Sequence, residues 1–464
     1  MPVAELLADL RALVSEQDLL TEERLRDRIY DPAAGDVRAR ALVRPRDTAQ
    51  VAAVLKLCHS RGQTVVTHGG VTGLVWGAAA TENDLILSLE AMNRIEGVDV
   101  AGRTMRVEAG VTLQTAQEEA ERHDLMFPLD LGARGSATIG GNISTNAGGV
   151  RVVRYGMMRN LVLGVESVLA DGTVLCSLNR MLKNNAGYDL KQLFIGTEGT
   201  LGVVTRADLR LVPRPRSYST AFVACPDFNS MARLLGIVDS GLGGQLGAFE
   251  ALWPEFYELV TTPPATHTAA LPYGHGLYVL IEGLGAEPQA DADRLERVLE
   301  DALAQGLIVD AVIAKSELER RALWGPREDV RQMSRLGPTH NFDVSLPMAD
   351  MPGYLETVRR GLKECAPGAR LFVFGHVADG NLHVVVSAGE AHEATFDAVE
   401  RCVYEPLRTI SGSISAEHGI GLERKAWLEI SRTPAEIATM RALKAALDPR
   451  GILNPGKVID VQRS

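Results

Sequence analysis

The sequence predicts an α+β protein of two or three domains, and three observations carry that expectation. Its 464 residues exceed what one hydrophobic core organises, because cores stop growing near ~250–300 residues. Up to about residue 215, glycine-rich stretches poor in charge alternate with short β-branched strands. From 216 to about 410, strands alternate with long amphipathic helices, the pattern of an antiparallel sheet with helical cover.

Hydrophobic residues make up 46% and charged residues 23% of the chain, the balance of a soluble globular protein. A net charge of −11 without a long basic run argues against nucleic acid, yet leaves room for a locally basic pocket that takes an anionic substrate. Cys58, Cys176, Cys225, Cys365 and Cys402 are scattered with no CxxC pair, which fits a reducing compartment. The stretch MPVAELLADLRALVSEQ carries acids and lacks a basic-then-apolar signal pattern. No apolar run nears the roughly 18 residues of a membrane span, so a transmembrane protein is not expected. The expected location is the cytoplasm, with peripheral attachment at the inner membrane as the variant; a homodimer is the default assembly.

In order along the chain, the first 40 or so residues read as an amphipathic helix and a lead-in. A helix begins at Thr48, buries Val51, Val54, Leu55 and Cys58, and stops at Gly62. Strands are expected over 65–67, 85–89 and 105–111, followed by a helix near 112–123. Residues 161–169 and 173–175 flank Ala170-Asp171-Gly172 and form a hairpin. Pro213-Arg-Pro215 marks the first domain boundary, giving domains 1–215 and 216–412 and a C-terminal segment 413–464. The second domain holds strands at 277–282 and 371–377 and helices near 288–305, 350–365 and 392–410; the tail is helical over 424–447.

Two glycine-rich stretches, HGGVTGLVWGA at 68–78 and GARGSATIGGNISTNAGG at 132–149, point to a buried anionic cofactor, since glycine lets backbone N–H groups close on a diphosphate. Neither follows the GxGxxG pattern of a dinucleotide fold nor the GxxxxGK[ST] phosphate loop. A tight turn without a ligand is the bland alternative for either one alone. Together THGGVTGLVWGA, PLDLGARGSATIGGNISTNAGG with RYG behind it, and IGTEGTLGVVT resemble the FAD-binding domain of the vanillyl-alcohol oxidase / p-cresol methylhydroxylase superfamily. The resemblance runs from about residue 40 to the C-terminus. It implies a two-part FAD-binding domain, a substrate domain with an antiparallel sheet, and a C-terminal helical segment. Gly69, Gly70, Val71, Thr72, Gly73 and Leu74 would wrap the FAD diphosphate. Pro128, Gly140, Gly141, Asn142, Gly148 and Gly149 would line the flavin, Glu198 and Val203 would meet the adenine end, and Asn454 would join the cofactor set. Some relatives tether flavin through a histidine directly after the glycine pair; Val71 stands there, with His68 on the other side, so the FAD is expected to be non-covalent.

The strongest pattern read from residues alone is FGHVADGNLHVVV at 374–386. With Asp379-Gly380 as a two-residue type I′ turn, His376 faces His383, their Cβ atoms about 4.5–5.5 Å apart, and Asn381 shares the face. SISAEHGIG at 413–421 sets Glu417 and His418 among small residues. Polar residues at strand ends are the plain alternative for each. Jointly these motifs resemble the D-2-hydroxyglutarate and D-lactate dehydrogenase branch of the family. That resemblance implies a divalent metal on His376, His383 and Glu417, with His418 as the base. Two imidazoles and a carboxylate suit Zn²⁺ best, and also Mn²⁺ or Fe²⁺.

Pro326 fits the first turn of a helix on which Arg327 and Arg331, four apart, share a face. The resemblance makes Arg327 the ligand of a substrate carboxylate, with Arg331 and Asn381 beside the substrate. Where D-2-hydroxyglutarate dehydrogenases carry a threonine and a lysine, this chain has Arg331 and Asn341, which opens the choice of hydroxy acid. The expected activity is oxidation of a D-2-hydroxy acid to the 2-keto acid. Electrons would pass through FAD to a quinone, an electron-transfer flavoprotein or a cytochrome, and NAD is not indicated. The alternatives are a glycolate oxidase-type subunit of a complex and a non-redox FAD enzyme resembling alkyl-glycerone-phosphate synthase.

Overall fold

A computed structural model describes residues 3–21, 24–25 and 38–460; the lead-in expected over 26–37 lies outside the described residues. The chain forms two compact units. One contains the chain to Gly148, Tyr155–Arg214 and Glu417–Ser464; the other contains Gly149–Arg154 and Pro215–Ala416. The junction at 214/215 falls inside the Pro213-Arg-Pro215 stretch.

In the first unit, among the described residues, β1 (Leu19–Leu20), β2 (Ala41–Val43), β3 (Val65–His68) and β4 (Leu85–Ser88) form a sheet of order β1-β2-β4-β3, with β2 and β3 both parallel to β4. The helix Thr48–Arg61 makes the crossover that parallel pairing requires. The Asp47 side chain caps it at the Gln50 N–H, its apolar stripe is buried as expected, and Gly62 ends it at φ 65°, where a side chain would be strained. A second sheet joins β5 (Ile95–Asp99), β6 (Thr104–Glu108), β8 (Val162–Val168), β9 (Val174–Cys176) and β10 (Val203–Arg210) in the antiparallel order β5-β6-β10-β8-β9. The β8–β9 hairpin turns at Gly172, φ 88°. A two-stranded ribbon joins β7 (Leu125–Met126) to β11 (Val212–Pro213). β6 stops short of the expected Val111 because the chain folds back on itself. Gly110 N donates to Met92 O, and a Cβ at Gly110 would lie 2.1 Å from Leu89 O.

The glycine-rich stretch 132–149 is not loop throughout. Ile139–Thr145 is a short helix whose N-cap, Thr138, accepts from Gly141 N. The tail helix also differs from expectation. Arg432 is extended and Thr433 opens a fresh capping box with Glu436, so 424–447 divides into Lys425–Trp427, Leu428–Ser431 and Pro434–Leu447. Lys444 fastens the last of these. Its buried ammonium donates to Thr200 O, Leu453 O and Asp448, all in the first unit.

The second unit is built on a seven-stranded antiparallel sheet. β12 (Ser217–Cys225), β13 (Leu246–Leu252), β14 (Leu277–Gly285), β15 (Asp310–Ile313), β16 (Thr339–Ser345), β17 (Arg370–Gly375) and β18 (Asn381–Ser387) run in the order β15-β12-β14-β13-β17-β18-β16. Helices Phe228–Gly241, Pro288–Ala304, Met351–Cys365 and His392–Tyr404 accompany it. The last ends before the expected 410, because Pro406 offers no N–H and the chain tightens into a 3₁₀ turn over Glu405–Ile410. β14 is buried along almost its whole length, so both faces of the central sheet are covered. Phe222, Phe256, Tyr257, Tyr278, Phe372 and Phe374 fill one core cluster.

Candidate active site

The first unit carries a cleft of about 740 Å³ lined by Gly69–Thr72, Gly110–Thr112, Ser136 and Thr138 among others. Its walls need glycine. A Cβ on Gly70 would stand 1.9 Å from Ser136 O, and one on Gly69 would stand 2.5 Å from Thr138 Oγ1. Gly140 packs equally close, its missing Cβ 2.7 Å from that of Ala109. Val71 holds φ at 52°, a conformation that a β-branched residue rarely adopts and that clusters at ligand sites. One turn beyond Thr138, Asn142 is buried with its Nδ2 lacking a hydrogen-bond partner among the described residues. A cleft that brings the backbone of Gly69, Gly70 and Gly110 to its lining fits a diphosphate cofactor such as FAD.

The remaining residues of the expected cofactor set divide. Gly73 and Leu74 are exposed beyond the cleft wall, and Pro128 is buried; Gly148 belongs to the first unit and Gly149, φ 122°, to the second. Val203 packs into the core of the parallel sheet. Glu198 and Asn454 bond to protein. Glu198 accepts from Ile420 N at 2.7 Å and Gly421 N at 2.9 Å; burial raises its carboxyl above the ordinary value, against the pull of those N–H groups. Asn454 accepts from Thr67 N at 2.9 Å and donates to Glu198 O. The two side chains therefore clamp the C-terminal segment onto β3. His68 is buried, its Nε2 2.8 Å from Ala78 O.

In the second unit the hairpin differs from the expected two-residue turn. β17 ends at Gly375, φ 158°, and Val377–Asp379 form a 3₁₀ turn closed by Gly380 at φ 88°. The register pairs His383 with Phe374, not with His376, which sits in the turn at φ −86°, ψ 68°. The extra turn takes His376 out of the ladder, and Gly375 permits the tight return: a Cβ there would lie 2.5 Å from Asn381 O. The two imidazoles nevertheless meet, their centroids 5.4 Å apart and edge to face. Two rings that each hold one cation ~2.0–2.1 Å from a nitrogen place their centroids about 5–5.5 Å apart at tetrahedral to trigonal angles, and the 5.4 Å seen here matches that spacing.

Two acids near these rings, Asp343 and Glu250, escape a reading of the sequence. Asp343, fully buried on β16, faces His383 across the sheet, with Oδ1 3.9 Å from its Nδ1. Asn381, expected beside substrate, spends its amide on Asp343 Oδ1 at 2.8 Å and Val344 O at 3.1 Å. Glu250, on β13, accepts from Arg327 Nε at 2.8 Å and lies 2.7 Å from His376 Nδ1. Burial alone would raise its carboxyl, but His376 and Arg327 outweigh burial and hold it at about 2. Burial pushes Asp379, in the turn, up to about 6.

Arg327 is buried over the Phe374 ring at 4.9 Å, with Nη2 3.5 Å from His376 Nε2. Its helix runs Glu317–Glu328, so Pro326 lies near the end and not in the first turn. The start signal is Ser316, whose side chain accepts from Glu319 N. Asp329 breaks the helix at ψ 52°, which leaves Arg331 in a separate 3₁₀ turn, exposed, and the shared face with Arg327 does not form. In the first unit Glu417 and His418 are neighbours, Oε1 to Nε2 3.9 Å, and the buried Arg424 sets Nη2 3.3 Å from His418 Nδ1. Among the described residues no helix is long and apolar enough to cross a membrane.

Two family models match the chain. The model of the FAD-linked oxidase C-terminal domain matches residues 214–458, and that of an FAD binding domain matches 39–177. A mitochondrial D-2-hydroxyglutarate dehydrogenase of Bos taurus is 40% identical over 91% of this chain and 77% of its own length. A D-2-hydroxyglutarate dehydrogenase of Xanthomonas citri pv. viticola is 37% identical over 90% and 89%, and a putative mitochondrial D-lactate dehydrogenase of Schizosaccharomyces pombe 35% over 90% and 81%. Among solved structures, p-cresol methylhydroxylase with substrate bound superposes at a TM-score of 0.79 with 18% identity, over 99% of this chain and 98% of that one, which speaks to fold. The chain is a flavin-dependent oxidoreductase and belongs to the family of FAD-linked oxidases.

Proposed function

We propose that this chain oxidises a D-2-hydroxy acid of the D-lactate or D-2-hydroxyglutarate kind to its 2-keto acid, with His376, His383 and Glu417 holding a divalent metal, zinc by preference. The observation that carries the reading is the meeting of His376 and His383 at 5.4 Å with the buried guanidinium of Arg327 3.5 Å from His376. On this reading the ring pair takes the cation and the neighbouring guanidinium takes the carboxylate, the two functions an α-hydroxy acid head group needs. Glu417 follows Ala416 directly in the chain, and Ala416 N donates to Asp343 Oδ2 at 3.1 Å. The names of the similar dehydrogenases support the same reading.

Bound FAD would supply the two-electron acceptor, and the divalent ion the Lewis acidity that makes the α-hydroxyl easier to deprotonate. Arg327 binds the C1 carboxylate through its guanidinium N–H groups. His418 takes the hydroxyl proton on a ring nitrogen as general base. Electrons then leave for a quinone, an electron-transfer flavoprotein or a cytochrome, and the cytoplasm is the proposed location. Anaerobic mixing of the purified flavoprotein with D-lactate, D-2-hydroxyglutarate, D-malate, glycolate and the L-forms, with and without zinc, tests the proposal. Bleaching of flavin absorbance by a D-acid is expected; silence with every hydroxy acid would overturn it and favour a non-redox member of the superfamily.

A further inference from the structure

The strand β13 carries one acid, Glu250, whose surroundings are unlike those of an ordinary buried ion pair. Its carboxylate is 1% exposed and serves two partners at once: Oε2 accepts from Arg327 Nε at 2.8 Å, and Oε1 lies 2.7 Å from His376 Nδ1. Arg327 and His376 are themselves 3.5 Å apart through Nη2 and Nε2. The three side chains therefore form a closed triangle in the interior of the second unit.

We infer that Glu250 is a positioning residue that presets both halves of the site, the metal-binding ring and the carboxylate-binding guanidinium, in one act. The inference rests on the function proposed above. A carboxylate can only accept, so its contact places the hydrogen of neutral His376 on Nδ1 and leaves the lone pair on Nε2. That is the tautomer a metal ligand requires, and a carboxylate on the remote ring nitrogen is the usual support for a metal-bound histidine. The same carboxylate orients the guanidinium by holding Nε, with Nη2 turned toward His376 Nε2. It also neutralises a cation buried beside a cation site, where an unpaired arginine would repel the metal. Charge at Glu250 is thus what allows an arginine and a metal to share one small interior.

The test uses the full-length flavoprotein and zinc itself as the probe. Zinc affinity is measured by competition with a chromogenic chelator in the parent, Glu250→Gln and His376→Ala. Because Glu250→Gln leaves Arg327 unpaired and can impair folding, the pair Glu250→Gln with Arg327→Gln is measured as well. The tautomer of His376 is read in the metal-free protein from imidazole ¹⁵N resonances. We expect His376→Ala to lose zinc, both Gln variants to bind it roughly 10–100-fold more weakly, and the Nδ1–H tautomer to give way to a mixture. Restoring the acid as Glu250→Asp should recover part of the affinity, which a merely structural gap would not. If His376→Ala loses zinc while the Gln variants keep parental affinity and tautomer, the role of Glu250 is overturned and the site reading stands. If His376→Ala itself binds zinc as the parent does, the site reading fails first.

Discussion

The two units prepare for charged ligands by opposite means. The first lines its cleft with close-packed backbone: at Gly69 and Gly70 a single Cβ would lie 1.9–2.5 Å from a neighbouring atom. The second buries side-chain charges and balances them against one another, as in Glu250 with Arg327 and His376. A second cluster sets Glu282 at the centre of Arg151, Arg320, Thr220 and Trp324. Backbone recognition is specified by shape and fails when a side chain is added. Charge recognition is specified by balance and fails when a side chain is neutralised. The two units should therefore respond to different substitutions and to different solvent conditions.

His418 tests this contrast most severely, a side chain assigned a catalytic role in the glycine-built unit. His418→Ala should slow flavin reduction by the hydroxy acid by roughly 10²–10⁴-fold, while the ratio of flavin to protein absorbance stays unchanged. Loss of FAD in that variant would erase the distinction between the two kinds of site.

The next largest effect is expected from acid on the charge-built unit. Burial pushes the Glu282 carboxyl up, but Arg320 and Arg151 prevail and hold it at about 2, against an ordinary 4.5. A depressed carboxyl contributes stability that is whole above pH 4.5 and lost as pH falls through 2, here roughly 3 kcal/mol. Denaturant melts followed across that window should show the loss, and Glu282→Gln should flatten the dependence while lowering stability throughout. A dependence that survives the substitution would place the acid-sensitive group elsewhere.

On the glycine side, Gly70→Ala should weaken FAD binding by roughly 10–100-fold, the cost of overpacking a tight contact, read from flavin retained on gel filtration. Zinc affinity should not move. Arg331 gives the smallest effect. Exposed and off the helix that carries Arg327, it should change the KM for D-lactate by less than roughly two-fold when replaced by alanine, in keeping with the small worth of exposed charges. A tenfold rise would restore it to the substrate site.

What the sequence conveys follows the same contrast. Elements whose limits are set by local backbone chemistry are legible. Gly62 stops a helix, Gly172 turns a hairpin, and the crowded glycines mark a cleft. Even there, the helix Ile139–Thr145 hides inside a stretch that composition describes as loop, because its cap at Thr138 and its packing on Ala109 outweigh its glycines. The paired histidines are legible as a motif, but their register is not. Gly375 and the extra turn at Val377–Asp379 shift the pairing by a distance that no dipeptide rule anticipates. Glu250, Glu282 and Asp343 are the least legible of all. Glu250 and Glu282 sit in strands whose neighbours on both faces are buried, so the alternation that would set an acid apart is missing there, and the partners of all three lie 38–131 residues away in the chain.

The claim on which the account depends is that two imidazoles share one cation. Anomalous diffraction at the zinc edge from zinc-soaked crystals measures it directly. The account predicts one peak about 2.0–2.1 Å from a ring nitrogen of both His376 and His383. A peak that leaves either ring uncoordinated, or zinc bound only elsewhere on the chain, would contradict it.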